Sequence, residues 1–131
     1  MLFDTSKKDK NTKQKINDLV GAPYNLFQII LQGKGGRDSS KMEVIEYSKL
    51  FDKIMSQSSA QGQAKISIRR FGIVLTIFIR SKIYSWVIPY RFLSIIKTDI
   101  LVIHGQGEYL KLAIDGEKGN AYISKLMKLK Q

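Results

Sequence analysis

Residues 64–88 read AKISIRRFGIVLTIFIRSKIYSWVI, and this stretch decides the fold. Ile66 and Ile68 alternate with Lys65, Ser67 and Arg69. That period of two places successive side chains on opposite faces of a strand. The spacing predicts a half-buried strand with a basic outer face. Gly72 admits a bend or bulge. Beyond it, Ile73, Leu75, Ile77 and Ile79 define one face, and Val74, Thr76, Phe78 and Arg80 the other. Ser81-Lys82 reads as a tight turn, which pairs Arg80 with Ile83, Ile79 with Tyr84 and Ile77 with Trp86. On that register Tyr84, Trp86 and Ile88 face the core, and Phe78, Arg80 and Ser85 lie outside.

The same region is unbalanced in charge. Residues 53–98 contain no aspartate or glutamate but eight basic residues: Lys53, Lys65, Arg69, Arg70, Arg80, Lys82, Arg91 and Lys97. The whole chain is +11, from 22 basic and 11 acidic residues, so this interval carries +8 and all other residues together only +3. A sheet built from it would present positive charge without internal counter-charge, which points to an anionic partner.

The totals describe one ordinary globular domain. The chain has 131 residues, 44% of them apolar and 25% charged, enough to bury a core without cross-links. It has no cysteine, which excludes disulfides and thiolate-held zinc or iron–sulfur centres and fits a reducing, cytoplasmic setting. The first 15 residues lack the apolar core of a secretory signal. The longest uncharged part of the apolar stretch 71–96 is 71–79, far short of the ~20 residues a membrane-spanning helix needs.

Working outward, residues 1–15 read as a disordered basic arm, because Lys7, Lys8, Lys10, Lys13 and Lys15 outnumber Asp4 and Asp9. Residues 16–131 read as a single α+β domain. Ile16 to Val20 forms one short helical turn, ended by Gly21 and Pro23. Residues 24–31 are a strand. Ser40-Lys41-Met42-Glu43 reads as a capping box. Val44, Tyr47, Phe51, Ile54 and Met55 follow at helical spacing, giving an amphipathic helix to Ser56. A polar linker runs to Gln63. Pro89 ends or edges the sheet, and residues 90–96 form another strand. Residues 100–104 and 108–114 make a hairpin across Gly105-Gln106-Gly107. Asn120 caps a final helix striped by Tyr122, Ile123, Leu126 and Met127. The expected fold is a strongly curved antiparallel sheet or open barrel, closed by a C-terminal helix and preceded by an N-terminal strand and helix.

Residues 72–128 resemble a pleckstrin-homology-like module of the small bacterial or GRAM type. The pieces that carry the resemblance are Ile83-Tyr84-Ser85-Trp86-Val87-Ile88-Pro89-Tyr90, Leu101-Val102-Ile103-His104, Tyr109-Leu110-Lys111-Leu112 and the closing helix. The resemblance implies an interaction module that docks on a protein or an anionic membrane surface, or self-associates through an open sheet edge. Two departures stand against carrying over headgroup recognition. The closing helix has no tryptophan, and Lys65, Arg69 and Arg70 do not reproduce the spaced basic signature linked to phosphoinositides. A basic sheet with a closing helix also looks like the single-strand-binding coactivator and Whirly-type folds.

Candidate chemistry follows from these patterns. Lys65, Arg69, Arg70, Arg80 and Lys82 are the expected phosphate contacts and Phe78 the expected stacking ring. The competing reading is a solvated strand face, which usually mixes charge signs. Tyr84 and Trp86 read as core. The glycine-rich residues 33–40 lie between a strand and a helix, with Lys34 and Arg37 able to hold an anion, but Gly35 stands where a nucleotide-binding loop needs serine or threonine. His104 is the only histidine, its nearest expected neighbour is Glu108, and no triad or metal pattern surrounds it. The sequence therefore predicts a non-enzymatic, cofactor-free binding module for nucleic acid, single-stranded if Phe78 stacks. A pleckstrin-homology-like interaction, self-assembly or membrane-surface module is the alternative, and an acidic protein or a second copy also fits as partner.

Overall fold

The computed structural model describes residues 1–25, 28, 38–56, 62–114 and 116–130. Its elements in chain order are β1 (Leu2–Asp4), α1 (Lys10–Val20), β2 (Met42–Tyr47), a 3-10 turn (Lys49–Phe51), α2 (Asp52–Met55), β3 (Gln63–Ile68), β4 (Gly72–Ile79), β5 (Lys82–Pro89), a second 3-10 turn (Tyr90–Phe92), β6 (Leu93–Lys97), β7 (Ile100–Gly105), β8 (Glu108–Ala113) and α3 (Gly116–Lys130). The eight strands form one sheet in the order β1-β5-β4-β3-β2-β8-β7-β6. Every pairing is antiparallel. Among the described residues β1 and β6 are the sheet edges, so the fold is α+β with an open sheet rather than a closed barrel.

The core follows from the alternation of apolar side chains. Ile66, Leu75, Ile77, Trp86 and Ile88 from one half of the sheet join Leu101, Ile103, Leu110 and Leu112 from the other. Phe51 meets Trp86 edge-on, with ring centroids 5.0 Å apart. The halves approach closely enough that a Cβ on Gly105 of β7 would lie 3.0 Å from the Ile88 side chain of β5. α3 adds Ile123 and Leu126, both fully buried, and its Tyr122 hydroxyl donates to the Ile66 carbonyl at 2.9 Å. The expected helix stripe thus faces the core, although the helix starts at Gly116 and Asn120 lies inside it, donating to the Gly116 carbonyl at 3.1 Å.

Three expectations are corrected. Residues 42–47 are a strand and not part of a long helix. Met42 and Val44, two apart with exposed Glu43 between them, alternate as in a strand, and pairing β2 with both β3 and β8 satisfies its backbone on both sides. Helical spacing survives only at Phe51, Ile54 and Met55.

The N-terminal arm is ordered. β1 pairs with β5, and α1 starts at Asp9, whose carboxylate accepts from the Asn11 amide at 2.9 Å. α1 packs Ile16 and Val20 on Val74 and Val87, on the face of β4 and β5 away from the main core.

The β4–β5 turn is Arg80-Ser81, not Ser81-Lys82. Ile79 pairs with Lys82, Ile77 with Tyr84 and Leu75 with Trp86. Arg80 takes a φ of 53° there, which costs a non-glycine residue about 1–2 kcal/mol. Smaller differences are that residues 90–92 form a turn before β6, and that His104 opposes Tyr109 while Glu108 opposes Gly105. The expected strand 24–31, the glycine-rich loop 33–40 and the linker after Ser56 lie largely outside the described residues. Among the described residues no helix is long and apolar enough to cross a membrane.

Candidate functional site

The six basic and aromatic residues expected to form one site occupy three places. Lys65 and Phe78 stand on the outer face of β3 and β4. There the Lys65 ammonium lies 3.1 Å from the Asp38 carboxylate. Lys41 Nζ sits 4.2 Å from the Phe78 ring centroid and Lys65 Nζ 5.8 Å from it. Glu43 pairs with Gln63 and Gln63 with Phe78 across neighbouring strands. Asp38 and Glu43 are thus acids beside the acid-free interval that a count along the chain assigns elsewhere. Phe78 is half-buried in the sheet, which leaves less of its ring for a base than a ring standing in solvent offers.

Arg69 and Arg70 occupy the β3–β4 turn. The Arg69 guanidinium donates to the Asn17 side chain at 3.1 Å and to the Gly21 carbonyl at 2.8 Å. It tethers the C-terminal end of α1, where a cation meets the negative end of the helix dipole. Desolvation lowers its pKa and the Asp38 charge opposes that shift; a guanidinium remains charged throughout. Arg69 is therefore a structural tie. Arg70 is exposed beside Phe71, 5.2 Å from its ring centroid.

Arg80 and Lys82 lie at the β4–β5 turn, the opposite end of β4, about 24 Å away at ~3.4 Å per residue. The N-terminal segment runs beside them. The Thr5 amide donates to the Ile83 carbonyl at 2.8 Å, and the Ile83 amide donates to the Ser6 hydroxyl at 2.8 Å. Thr5 and Ser85 share a hydroxyl hydrogen bond of 2.9 Å, which buries Ser85 although it is on the outer face. The Asp4 carboxyl is held below its ordinary range, first by hydrogen bonds from Ser6 and then by the charges of Lys82 and Lys7.

This docking creates a hollow of about 510 Å³ between the β1–α1 connection and the first turns of α1. Lys7, Lys8, Lys10 and Lys13 line it, with Asp9 and the Thr12 hydroxyl. Four lysine side chains line one concavity and the Lys82 charge acts on neighbouring Asp4; together they raise the local anion concentration and suit phosphate oxygens, which need no fixed geometry from lysine. Reading residues 1–15 as a solvated arm missed the convergence. The usable signals were Asp9 as an N-cap and Ile16 and Val20 at helical spacing.

Among the described residues no three acidic or histidine side chains gather as a metal site requires. His104 stacks obliquely on Tyr109 with centroids 5.8 Å apart, and Glu108 instead accepts from the Ser48 hydroxyl and from the Leu50 amide. No family model, curated protein or solved structure matches this chain.

Proposed function

We propose that this chain is a non-catalytic module that binds nucleic acid through the lysines at its N-terminal hollow and the adjoining β4–β5 turn, Lys7, Lys8, Lys10, Lys13, Arg80 and Lys82. The observation that carries this reading is the gathering of four lysines about one concavity. Lys65 and Phe78, with their acidic and cationic neighbours, take a lesser part than sequence spacing suggests, and Arg69 serves the fold. Phosphate contacts of this kind bind with little base preference and a steep dependence on salt.

Fluorescence anisotropy with labelled DNA and RNA across a salt series tests the proposal. Replacing Lys7, Lys8, Lys10 and Lys13 together by glutamine should flatten the slope of log affinity against log salt by about 3 units, at roughly 0.7–0.9 per phosphate contact. Circular dichroism checks that α1 survives. Absence of binding at low salt, or an unchanged slope in the variant, would sink the proposal.

A second reading rests on a different observation. From β2 to β8 consecutive strands pair at every step except β5 to β6, the first and last strands pair with each other, and α3 covers the core. That element order supports a pleckstrin-homology-like interaction module docking on an anionic membrane surface or an acidic protein, or self-associating through the open β6 edge. Vesicle co-sedimentation and mass measurement in solution separate it from the first reading.

A further inference from the structure

The dipeptide Arg-Phe occurs twice, at Arg70-Phe71 and Arg91-Phe92, and the topology brings both copies to one corner. The Phe71 amide donates to the Val20 carbonyl, and the Tyr90 amide to the Phe71 carbonyl, each at 2.9 Å. The Tyr90 hydroxyl donates to the Arg69 carbonyl at 2.9 Å. These bonds lock the β3–β4 turn against the 3-10 turn that follows β5. Between them lies a groove of about 390 Å³, lined by Leu19, Phe71, Pro89, Tyr90 and Arg91, with Asp18 on its α1 side. The Asp18 carboxylate accepts from Gln14 at 2.7 Å.

Both rings stand in solvent, Phe71 57% and Phe92 41% exposed. The Arg70 guanidinium carbon is 5.2 Å from the Phe71 centroid, and that of Arg91 is 4.7 Å from the Phe92 centroid. Phe71 lines the groove, and Phe92 follows Arg91, which also lines it; exposed large apolar side chains on one part of a surface mark contact sites. A guanidinium beside each adds a planar, permanently charged phosphate ligand.

We infer that this corner is a base-stacking site for single-stranded nucleic acid, with Phe71 and Phe92 as the stacking rings and Arg70 and Arg91 as phosphate contacts. It rests on the nucleic-acid reading above and adds strand selectivity to it. Unpaired bases offer a free face to an exposed ring, whereas those of a duplex are already stacked. The site lies at the C-terminal end of α1 and the lysine hollow at its N-terminal end. The 11 residues of this helix separate the two by about 16 Å. A single strand held at the hollow can run along α1 to the corner, so affinity rises with oligonucleotide length until both ends are engaged.

The experiment measures anisotropy of labelled oligo-dT of increasing length and of a duplex, for wild type, Phe71→Ala/Phe92→Ala and the four-lysine variant. Losing both rings should weaken single-strand binding by about tenfold or more, from a stacking worth of ~1–3 kcal/mol per base, while duplex affinity and the salt slope stay unchanged. The four-lysine variant should lower the salt slope and keep the single-strand preference. Phe71→Trp gives a second readout. Its indole should be quenched on adding oligo-dT, against the constant signal of Trp86, which is 1% exposed.

Equal single-strand affinity in wild type and the double-phenylalanine variant, without indole quenching, overturns the stacking site while leaving the lysine reading intact. No binding of any nucleic acid by wild type overturns both. If the double variant keeps oligo-dT but loses vesicles of phosphatidylserine and phosphatidylcholine, the corner faces a membrane and the inference is wrong.

Discussion

β4 and β7 belong to one sheet yet carry different patterns. In β4, Ile73, Val74, Leu75, Ile77 and Ile79 are all buried, on both faces. In β7, Leu101 and Ile103 are buried while Ile100, Val102 and His104 are only half-covered. The difference is a second layer. α1 lies over the outer side of β4 and β5, with Phe3 of the neighbouring edge strand β1 packed beside it, whereas the outer positions of β7 stay half-exposed. Burial of an aliphatic side chain is worth roughly 1.5–3 kcal/mol when complete, so Ile16, Val20, Val74 and Val87 give α1 a firm seat. The comparison also accounts for where charge went. A strand covered on both faces has no place for it, so five of the eight basic residues of the acid-free interval collect at turns: Arg69 and Arg70, Arg80 and Lys82, Arg91. The uncovered half keeps mixed signs on its outer row, as in the Lys111–Glu46 pair at 3.1 Å.

The largest effect should come from Gly72. A Cβ there would meet the Ile88 carbonyl oxygen at 2.4 Å, a Val20 methyl at 2.5 Å and Pro89 Cα at 2.8 Å, so both the strand partner and the helix would have to move. Gly72→Val should cost about 3 kcal/mol in urea denaturation. Gly107→Ala, in the β7–β8 turn of the uncovered half, meets nothing within 4 Å and suffers only from its φ of 85°, about 1–2 kcal/mol.

Next comes a matched pair of isoleucines. Ile16→Ala on the helix should cost about 2 kcal/mol, and Ile96→Ala on the 49% exposed edge position within about 0.5 kcal/mol. Equal costs would break the comparison, because α1 would then contribute no more than a solvent-facing side chain.

Arg69→Ala strips the Gly21 carbonyl and Asn17 of their donor and should cost about 1–2 kcal/mol. Lys65→Ala, which breaks the partly exposed pair with Asp38 and the ammonium's 5.8 Å approach to Phe78, should stay within about 0.5 kcal/mol.

The smallest test is alkaline. Burial pushes the Tyr90 hydroxyl up to about 12, against about 10 in an unfolded chain. Between those values the folded state holds the proton that the unfolded state releases. The contribution is therefore complete below pH ~10 and disappears as the pH rises through about 12. Unfolding midpoints measured across that window should fall less steeply in Tyr90→Phe than in wild type.

The core was legible because its signal is redundant. The strand register slipped by two residues, placing Trp86 opposite Ile77 instead of Leu75. A slip of two leaves every side chain on its original face, so Tyr84, Trp86 and Ile88 face inward on either register. Residues 42–47 failed for the opposite reason. Met42 and Val44 fit period two while Val44, Tyr47 and Phe51 fit helical spacing, and only the pairing with β3 and β8 decides between them. The site was less legible because it is built from both ends of a long connection. Lys7 and Lys82, or Asp38 and Lys65, become neighbours only through β1 on β5 and the Ser39 amide on the Ile66 carbonyl at 2.9 Å. The paired Arg-Phe dipeptides were visible as text, but only the hydrogen bond from Tyr90 to Phe71 makes them one corner.

The pairing of β1 with β5 sets a timetable for synthesis. The Met1 ammonium donates to the Val87 carbonyl at 3.0 Å, 86 residues further along, and Val44 finds Leu112 only when β8 exists. The meander from β3 to β5 can close locally through short turns, which form early. β1, with the lysines behind it, must wait beside the ribosome for a partner not yet translated.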